Sequence, residues 1–266
     1  MKHSKKQQDT IFVHNVLDFY KEYGRHDLMW RKKITPYKIL VSEIMLQQTQ
    51  VARVLEKFEV WIKLYPTLSV LKRASLQDIL MIWQGLGYQR RAKSLYQIAQ
   101  TTTKLSDKFE DLLLLPGIGP YTASAITSFA YNKFSHPMLE TNIRTVLIEA
   151  YHQGEEDIHD GVLYDDVERL ANLSLVQKVG ARSWYYALMD YGAYLKKQKI
   201  SHNKKSAHYT KQTTYKGSSR ELRAKVLFAI TRQEKLPTDE RVATVLEALV
   251  KEGYIVKEKT SYKIKD

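Results

Sequence analysis

LPGIGPYT, residues 115–122, joins an apolar run at 112–115 to a run of small residues at 123–130. Pro116 stops a preceding helix, because proline lacks an N–H and restricts the residue before it. The two glycines permit a tight turn, and Pro120 suits the first position of the next helix. Such a turn is either a plain connection or an anion site, because free N–H groups at a helix start bind phosphate oxygens.

The composition is that of an ordinary globular protein. The chain has 266 residues, 44% of them hydrophobic, which is enough for one large domain or two to three modest ones. No apolar run approaches the ~20 residues that span a bilayer, and the basic N-terminus is not followed by a signal core. We therefore expect an intracellular, cytoplasmic protein. With no cysteine, disulfides, cysteine-ligated zinc and iron–sulfur clusters are excluded, and no cofactor is expected.

The net charge of +13 is unevenly spread. Residues 1–190 carry 24 lysines and arginines against 21 acidic residues, whereas residues 191–266 carry 18 against 8. A basic block on a nearly neutral body is typical of a protein that binds a polyanion, most simply nucleic acid. The other interpretation is a tail that only aids solubility.

Apolar residues recur at helical spacing through most of the chain, and strand-like alternation is nearly absent before residue 253. The chain is therefore predicted to be all-α with short connections. Up to residue 197, the predicted helices are 9–24, 36–50, 51–62, 69–83, 90–101, 123–130, 141–151, 163–173 and 183–197.

The C-terminal part has a different pattern. Residues 196–218 are polar and basic, and we interpret them as a linker or a DNA-tracking arm. Helices are predicted at 220–231 and 238–252, the second with Thr238 as its N-cap, and a hairpin at 254–264. Helix, helix, hairpin is the outline of a winged helix, a module that docks on DNA or on proteins.

Glu43 lies in the apolar stretch VSEIMLQQTQV, residues 41–51. A buried carboxylate is costly unless it is paired or used, and burial would raise its pKa and suit it to general acid catalysis. The polar residues 47–50 add amide and hydroxyl groups that can read base edges. In the other interpretation, Glu43 pairs with an arginine and the glutamines are simply exposed.

Four segments carry a more specific signal: WR…PYKILVSEIMLQQTQV, WQGLGYQRRAKSL, LLLLPGIGPYTASAI and LETNIRTVL. Together they resemble the DNA glycosylases of the helix–hairpin–helix superfamily, and most of all the adenine DNA glycosylases (the MutY family). The resemblance implies two helical domains that flank an active-site cleft. One would be a barrel at 32–131 that contains the hairpin, and the other would join 1–31 to 132–195. Residues 219–266 would follow as the winged-helix-like module.

The resemblance also implies catalytic roles in base excision repair, the removal of adenine mispaired with 8-oxoguanine or guanine. Glu43 would protonate the adenine, and Glu140 would support the cationic sugar, as paired carboxylates do in glycosidases. Glu140 replaces the family's aspartate and is one methylene longer, while Asn142 would hold nearby hydrogen bonds. Tyr121 would lie beside the sugar where strand-cleaving relatives carry a Schiff-base lysine, so we expect a monofunctional glycosylase.

By the same resemblance, a larger set of residues would bind the DNA. Gln48 and Tyr88 would enter the duplex so that the target base flips out, although Tyr88 could instead be a core tyrosine. Hairpin carbonyls in relatives often hold a monovalent cation, and no other metal is expected. The complete set is Leu28, Trp30, Arg31, Leu46, Gln48, Thr49, Tyr88, Arg90, Arg91, Gly117, Gly119, Lys196 and Lys197.

Two features depart from the family. Most relatives hold an iron–sulfur cluster with four cysteines just after the motif that reads LMDYGA here, at 188–193, whereas this chain continues with YLKK. The basic run from Lys196 to Lys211 is a hypothetical replacement for the cluster's DNA contacts. The remaining residues are also too few for the domain that checks for 8-oxoguanine in typical members.

Two alternatives remain. A thymine glycosylase that acts on G·T mismatches would share the hairpin and the tyrosine, although the QQTQ sequence favours adenine. A catalytically silent DNA-binding protein would use the same scaffold, although the retained Glu43, Tyr121 and Glu140 argue against it. The expected partner is double-stranded DNA, and because no oligomerisation signal is visible we expect a monomer.

Overall fold

A computed structural model describes residues 4–207, 214–259 and 261–265. Residues 208–213, part of the predicted linker or DNA-tracking arm, lie outside the described residues. The chain forms two compact units, and the domain boundaries inferred from the sequence stay a prediction. Unit 1 comprises Met1–Leu40, Ser106–Leu114 and Ile118–Lys211, and unit 2 comprises Val41–Leu105, Leu115–Gly117 and Gln212–Asp266.

The described residues are mostly helical, as the sequence predicts. The helices are α1 (Lys5–Tyr23), α2 (Pro36–Leu46), α3 (Val51–Leu64), α4 (Leu68–Leu71), α5 (Leu76–Trp83), α6 (Arg90–Thr101), α7 (Phe109–Leu113), α8 (Pro120–Tyr131), α9 (Thr141–Tyr151), α10 (Asp160–Ala171), α11 (Ser174–Lys197), α12 (Ser219–Arg232) and α13 (Val242–Lys251). Short 3-10 turns lie at Met29–Arg31 and Asn203–Lys205, and an antiparallel hairpin of β1 (Ile255–Glu258) and β2 (Ser261–Ile264) ends the chain. No helix among the described residues is long and apolar enough to cross a membrane.

Unit 1 is built around α11, which packs against α1, α8, α9 and α10. Trp184 and Tyr185 of α11 are fully buried, and Tyr186 stacks on Phe129 of α8 with ring centroids 4.2 Å apart. The helix bends where Gly180 leaves helical geometry with a φ of 82°. Burying these large rings removes apolar surface from water and stabilises this unit.

Asp190 of α11 ties the N-terminal segment to the centre of unit 1. Its carboxylate accepts two bonds from the Arg31 guanidinium, at 2.7 and 2.9 Å. It also accepts bonds from the backbone N–H and Nε of Arg25, at 2.8 and 2.7 Å. Burial would raise the pKa of Asp190, but the hydrogen bonds and charges of Arg31 and Arg25 outweigh burial and hold it below its usual range.

Arg31 was predicted to bind DNA, and the structure places it in this buried ion pair instead. Its side chain is only 5% exposed and its guanidinium lies over the Tyr186 ring, 3.9 Å from the centroid. Residue spacing could not indicate this pairing, because Asp190 is 159 positions away along the chain.

Unit 2 has an aromatic core of its own. Trp61 of α3 and Trp83 of α5 are fully buried and meet edge to face, with centroids 5.7 Å apart. The C-terminal module, residues 219–259 and 261–265, has the predicted order of helix, helix and hairpin. Its helix α12 packs against α5, and Gln77 Nε2 donates to the carbonyl of Thr231 at 2.9 Å. Lys93 Nζ donates to the carbonyl of Gly253 at 3.0 Å, so the module is packed on the helices of unit 2.

Local hydrogen bonds explain two departures from the predicted helices. Residues 69–83 were predicted as one helix, but α4 ends at Leu71, and Ser75 caps α5 by accepting the N–H of Asp78 at 3.0 Å. Thr238 was predicted as an N-cap, but α13 begins at Val242 with Arg241 at its N-cap. In both places a side-chain hydrogen bond or turn takes precedence over helix propensity.

The basic segment after α11, within the stretch 196–218 predicted as a linker or a DNA-tracking arm, is partly bound to unit 1. Ser206 forms a parallel bridge with Ile158, and Lys205 Nζ donates to the carbonyl of Gln153 at 2.7 Å. Lys205 also pairs with Glu156 at 3.1 Å. Lys205 therefore contributes to the fold of unit 1, and the DNA contacts of the basic run stay a prediction.

The hairpin at 115–122 has most of the backbone features that the sequence predicts. α7 ends at Leu113, before Pro116, and Pro120 occupies the first position of α8. Gly117 has a φ of 76°, in the left-handed region that favours glycine. Gly119 was expected to need a similar conformation, but its φ of −96° and ψ of 179° are open to any residue.

Candidate active site

Glu43 lies in the most apolar part of α2. It is 4% exposed, and its neighbours Ile39, Leu40 and Val41 are fully buried. Because α2 is continuous from Pro36 to Leu46, the carboxyl is held on a rigid element. A carboxyl in such a position is costly to the fold unless it is hydrogen bonded or used in chemistry.

Arg91 fastens the turn after α2 to the turn at 85–88. Its guanidinium donates to three carbonyl oxygens at the end of α2 and beyond, two carbonyl oxygens of the second turn, and one hydroxyl. These acceptors are Ile44 (2.8 Å), Met45 (2.9 Å), Gln47 (2.6 Å), Leu86 (2.8 Å), Gly87 (3.1 Å) and Thr49 Oγ1 (3.1 Å). The hydroxyl of Thr49 also donates to the carbonyl of Leu86 at 3.3 Å. The two turns are therefore held as one piece of structure.

Arg91 was predicted as a phosphate contact, and in the structure its guanidinium joins two turns by binding their main-chain oxygens. The residue is 8% exposed, and the oxygens it binds occupy its guanidinium. Burial lowers the pKa of Arg91 to about 10, so it stays charged at neutral pH. Its neighbour Arg90 is exposed at the start of α6 and keeps the predicted phosphate role as a proposal.

Gln48 and Tyr88, the two residues predicted to enter the duplex, lie on the turns that Arg91 joins. Both are exposed, Tyr88 by 39%. Both have left-handed backbones, with φ values of 54° and 46°. Such conformations are uncommon for residues other than glycine and concentrate at functional sites, where the surrounding structure holds them in place.

Gly117 of the hairpin lies against α6. A Cβ at this position would be 2.3 Å from Ser94 Oγ, so glycine is required by contact as well as by backbone angle. Gly119 has open space around it and is the N-cap of α8. Tyr121, the second residue of α8, is half-buried.

Glu140 is the N-cap of α9, and four donors surround its carboxylate. Oε1 accepts the backbone N–H groups of Asn142 and Ile143, at 2.8 and 2.9 Å. Oε2 accepts Asn142 Nδ2 at 3.1 Å and Thr141 Oγ1 at 3.2 Å. The N-terminal end of a helix also favours a negative charge. The arrangement presents a fixed, half-buried anion, with Asn142 as one of its partners.

Lys196 was predicted to bind DNA and is found beside Glu140. Its Nζ donates to Thr141 Oγ1 at 3.3 Å. Burial lowers the pKa of Lys196, and the charge of Glu140 opposes that shift while the charge of Arg144 adds to it. Lys197, the next residue, is exposed at the end of α11.

The predicted residues divide between the two units. Unit 2 holds Glu43, Leu46, Gln48, Thr49, Tyr88, Arg90, Arg91 and Gly117, and unit 1 holds Leu28, Trp30, Arg31, Gly119, Tyr121, Glu140, Asn142, Lys196 and Lys197. Leu28 and Trp30, predicted to line the base pocket, are buried, whereas Leu46 is half-buried. Within unit 1, hydrogen bonds join the sites of Glu140, Asn142 and Lys196. Within unit 2, Arg91 joins the turns of Gln48 and Tyr88.

Residues 41–162, which include Glu43, the hairpin and Glu140, match the family described as HhH-GPD superfamily base excision DNA repair protein. The chain belongs to the HhH-GPD superfamily. Over 185 residues it is 40% identical to a protein of Mycobacterium tuberculosis named adenine DNA glycosylase. The match covers 67% of this chain and 60% of that relative, so the chain spans well under the full length of the relative.

Two solved structures of other proteins have a similar fold. A thermostable thymine-DNA glycosylase has a TM-score of 0.60 and 22% identity, and covers 72% of this chain and 88% of its own. A trapped covalent intermediate of endonuclease III with DNA has a TM-score of 0.57 and 16% identity, over 72% and 88% of the two chains. At these identities the likeness is one of fold alone.

Three contacts of this HhH-GPD protein were not predicted. Asp190 holds the N-terminal segment, Thr141 links Lys196 to Glu140, and Arg220 of the C-terminal module reaches Tyr88. A sequence signal existed only for Asp190, which belongs to the LMDYGA motif. The other two contacts join residues whose types and spacing carry no local pattern.

Proposed function

We propose that this protein is a monofunctional DNA glycosylase that removes adenine mispaired with 8-oxoguanine or guanine from double-stranded DNA. The proposed reaction is hydrolysis of the N-glycosidic bond, which leaves an abasic site. The similarity to proteins named adenine DNA glycosylase supports the choice of adenine.

Two carboxylates held in different ways carry this proposal. Glu43 is 4% exposed in an apolar helix, and we assign it the role of general acid. Glu140 accepts four hydrogen bonds at the start of α9, and they fix the carboxylate that we assign to stabilising the charge on the sugar. A pair of carboxylates in such contrasting surroundings is the usual division into acid and charge stabiliser.

In the proposed reaction, Glu43 gives its proton to a ring nitrogen of adenine. The bond between the base and C1′ breaks, its electron pair leaves with the base, and positive charge develops on the sugar. Glu140 stabilises that charge. Water then adds to C1′ and releases a proton, which restores the neutral acid at Glu43. Each group thus acts on the charge that forms at its own side of the broken bond.

The proposed DNA contacts follow from exposure and backbone geometry. Gln48 and Tyr88 are exposed on turns that Arg91 fixes, so they are the residues we assign to opening the duplex. Arg90, exposed at the start of α6, and the N–H groups near Gly119 are assigned to phosphates.

Tyr121 is the basis for proposing base removal without strand cleavage. It stands where strand-cleaving members would place a lysine, and a phenol cannot form a Schiff base with the sugar. Efficient trapping of the protein on DNA by borohydride would contradict this part of the proposal.

The test is to incubate the protein with duplexes that contain 8-oxoG·A, G·A or G·T, and then treat them with alkali. Strand breaks at adenine are expected. Breaks at thymine would instead indicate a thymine glycosylase, and no breaks would indicate a DNA-binding protein without this activity. Glu43→Gln keeps the size of the side chain and should lower the single-turnover rate by at least about 100-fold, while DNA binding is retained. Unchanged turnover would remove Glu43 from the role of acid.

A further inference from the structure

Helix α11 touches the first turn of α9 at Gly192. A Cβ at Gly192 would lie 2.4 Å from the carbonyl oxygen of Asn142, so the two backbones meet without a side chain between them. Lys196 is one helical turn further along and therefore lies on the same face of α11. This places its ammonium group at the start of α9, where Glu140 is the N-cap.

A chain of hydrogen bonds connects the ammonium group to the carboxylate. Lys196 Nζ donates to Thr141 Oγ1 at 3.3 Å, and Thr141 Oγ1 lies 3.2 Å from Glu140 Oε2. A hydroxyl has one hydrogen to donate. Because an ammonium group can only donate, the Thr141 hydroxyl must accept from Lys196, which leaves its hydrogen for Glu140. Lys196 thus sets the donor-to-acceptor direction of both hydrogen bonds.

We propose that Lys196 is a positioning residue for Glu140, which acts through the Thr141 hydroxyl to hold Oε2 in place. The inference rests on the proposed function and adds a residue to its site. In this inference Lys196 orients the Glu140 carboxylate and does not itself stabilise the reaction's charge. A cation near the sugar would oppose the positive charge that develops there. The other charges next to Lys196 are Glu140 and Arg144, and Arg144 is paired with Asp160 at 2.8 Å.

A change in the orientation of the Glu140 carboxylate should have a measurable effect on the reaction rate. Among the residues that the structure describes, Oε2 is held by two side-chain donors, Asn142 Nδ2 and Thr141 Oγ1, whereas Oε1 is fixed by two backbone N–H groups. If the hydroxyl turns away, Oε2 loses one of its two partners, and the carboxylate can rotate about its terminal bond. Because that bond is a soft torsion, one lost hydrogen bond is enough to widen its range.

The experiment measures the single-turnover rate of adenine removal and the binding of an abasic-site duplex by variants of the full chain. Lys196→Met should lower the rate about tenfold and leave binding unchanged. Lys196→Arg, which still donates, should recover most of the rate. Thr141→Val, which replaces the hydroxyl with a methyl group, should match Lys196→Met, and the double variant should be no slower than either. Lys178→Met, an exposed lysine on the same helix, is the control for lost charge.

The outcomes separate this inference from the proposed function. A wild-type protein that removes no base would overturn both. An active wild type with an unchanged rate in Lys196→Met would overturn the inference alone, and so would a loss confined to salt-dependent DNA binding. If Lys196→Met does not fold, Thr141→Val and Lys196→Arg still decide, because a normal rate in Thr141→Val contradicts the chain of hydrogen bonds.

Discussion

Arg220 donates a hydrogen bond from Nη1 to the hydroxyl of Tyr88, with 2.7 Å between the two atoms. Its guanidinium carbon is 5.8 Å from the centre of the Tyr88 ring, and that of Arg91 is 5.5 Å away. One arginine comes from the C-terminal module and the other from α6. The module therefore contacts the residue that we assign to opening the duplex.

This contact gives the first prediction. Arg220→Ala removes a donor from Tyr88, and we expect the single-turnover rate of adenine removal to fall about fivefold. Tyr88→Phe removes the acceptor, so Arg220→Ala should cost little more in that background. Lys225→Ala takes a positive charge from the same helix without touching Tyr88 and should leave the rate unchanged. Additive losses in the double variant would mean that Arg220 acts elsewhere.

The second prediction separates two adjacent arginines. Arg91→Met leaves several buried carbonyl oxygens without a donor, and we expect the free energy of unfolding to fall by about 3 kcal/mol. Arg90→Ala should change stability by less than about 0.5 kcal/mol. It should instead weaken DNA binding and reduce the slope of log K against log salt by about 1. Urea unfolding measures the stability of both variants, and DNA binding at several salt concentrations measures the slope. A loss of stability in Arg90→Ala together with weaker DNA binding alone in Arg91→Met would refute the assignment.

The third prediction concerns pH and Asp190. Its pKa in the folded protein lies below its usual range, so the ionised carboxylate stabilises the fold above the unfolded-state pKa. This contribution is lost as the pH falls through the lower, folded-state pKa. We expect Asp190→Asn to lower the free energy of unfolding by about 3 kcal/mol near pH 7, and the difference from wild type to shrink below about pH 4.

Asp165→Asn is the control for that measurement, because Asp165 is exposed on α10. Its effect should stay within about 0.5 kcal/mol at every pH. Urea unfolding at a series of pH values measures both variants. A difference between wild type and Asp190→Asn that grows towards low pH would contradict the assigned ion pair.

The fourth prediction uses the two hairpin glycines. In Gly117→Ala the alanine would have to adopt a left-handed φ, and its Cβ would clash with the Ser94 side chain. The protein should therefore be destabilised by about 1–3 kcal/mol. At Gly119 an alanine would have an ordinary φ and open space around its Cβ, so Gly119→Ala should fold with near wild-type stability. If N–H groups at Gly119 approach a phosphate, the added methyl should weaken DNA binding without a change in melting temperature. Equal melting temperatures for both variants would contradict the special backbone at Gly117.

Several features could be predicted from local sequence. Pro120 at a helix start, Gly117 in a left-handed turn and the mostly helical class depend on neighbouring residues and on helical spacing. The hairpin at the C-terminus likewise follows from alternation and a short turn. Helix ends were less predictable, because Ser75 caps a new helix through two hydrogen bonds with Asp78 inside a stretch that was predicted as one helix.

The site required longer-range information. Glu43 was identified because a carboxylate in an apolar stretch stands out in the sequence itself. Lys196 was placed in a DNA-binding run because its neighbours are basic, yet its partner Thr141 lies 55 positions earlier. Spacing alone carries no record of which helices meet, so the link to Glu140 could not be inferred.

Arginines show most clearly what the sequence determined and what tertiary structure decided. By itself the sequence determined that Arg31, Arg90 and Arg91 are permanent cations and that Arg90 and Arg91 begin a helix, because both properties are local. Tertiary structure decided that Arg31 is buried on Asp190, that Arg91 is buried on main-chain oxygens, and that Arg90 is exposed. The physical reason is that a guanidinium binds any convergent set of oxygens, and only the folded chain brings such a set together.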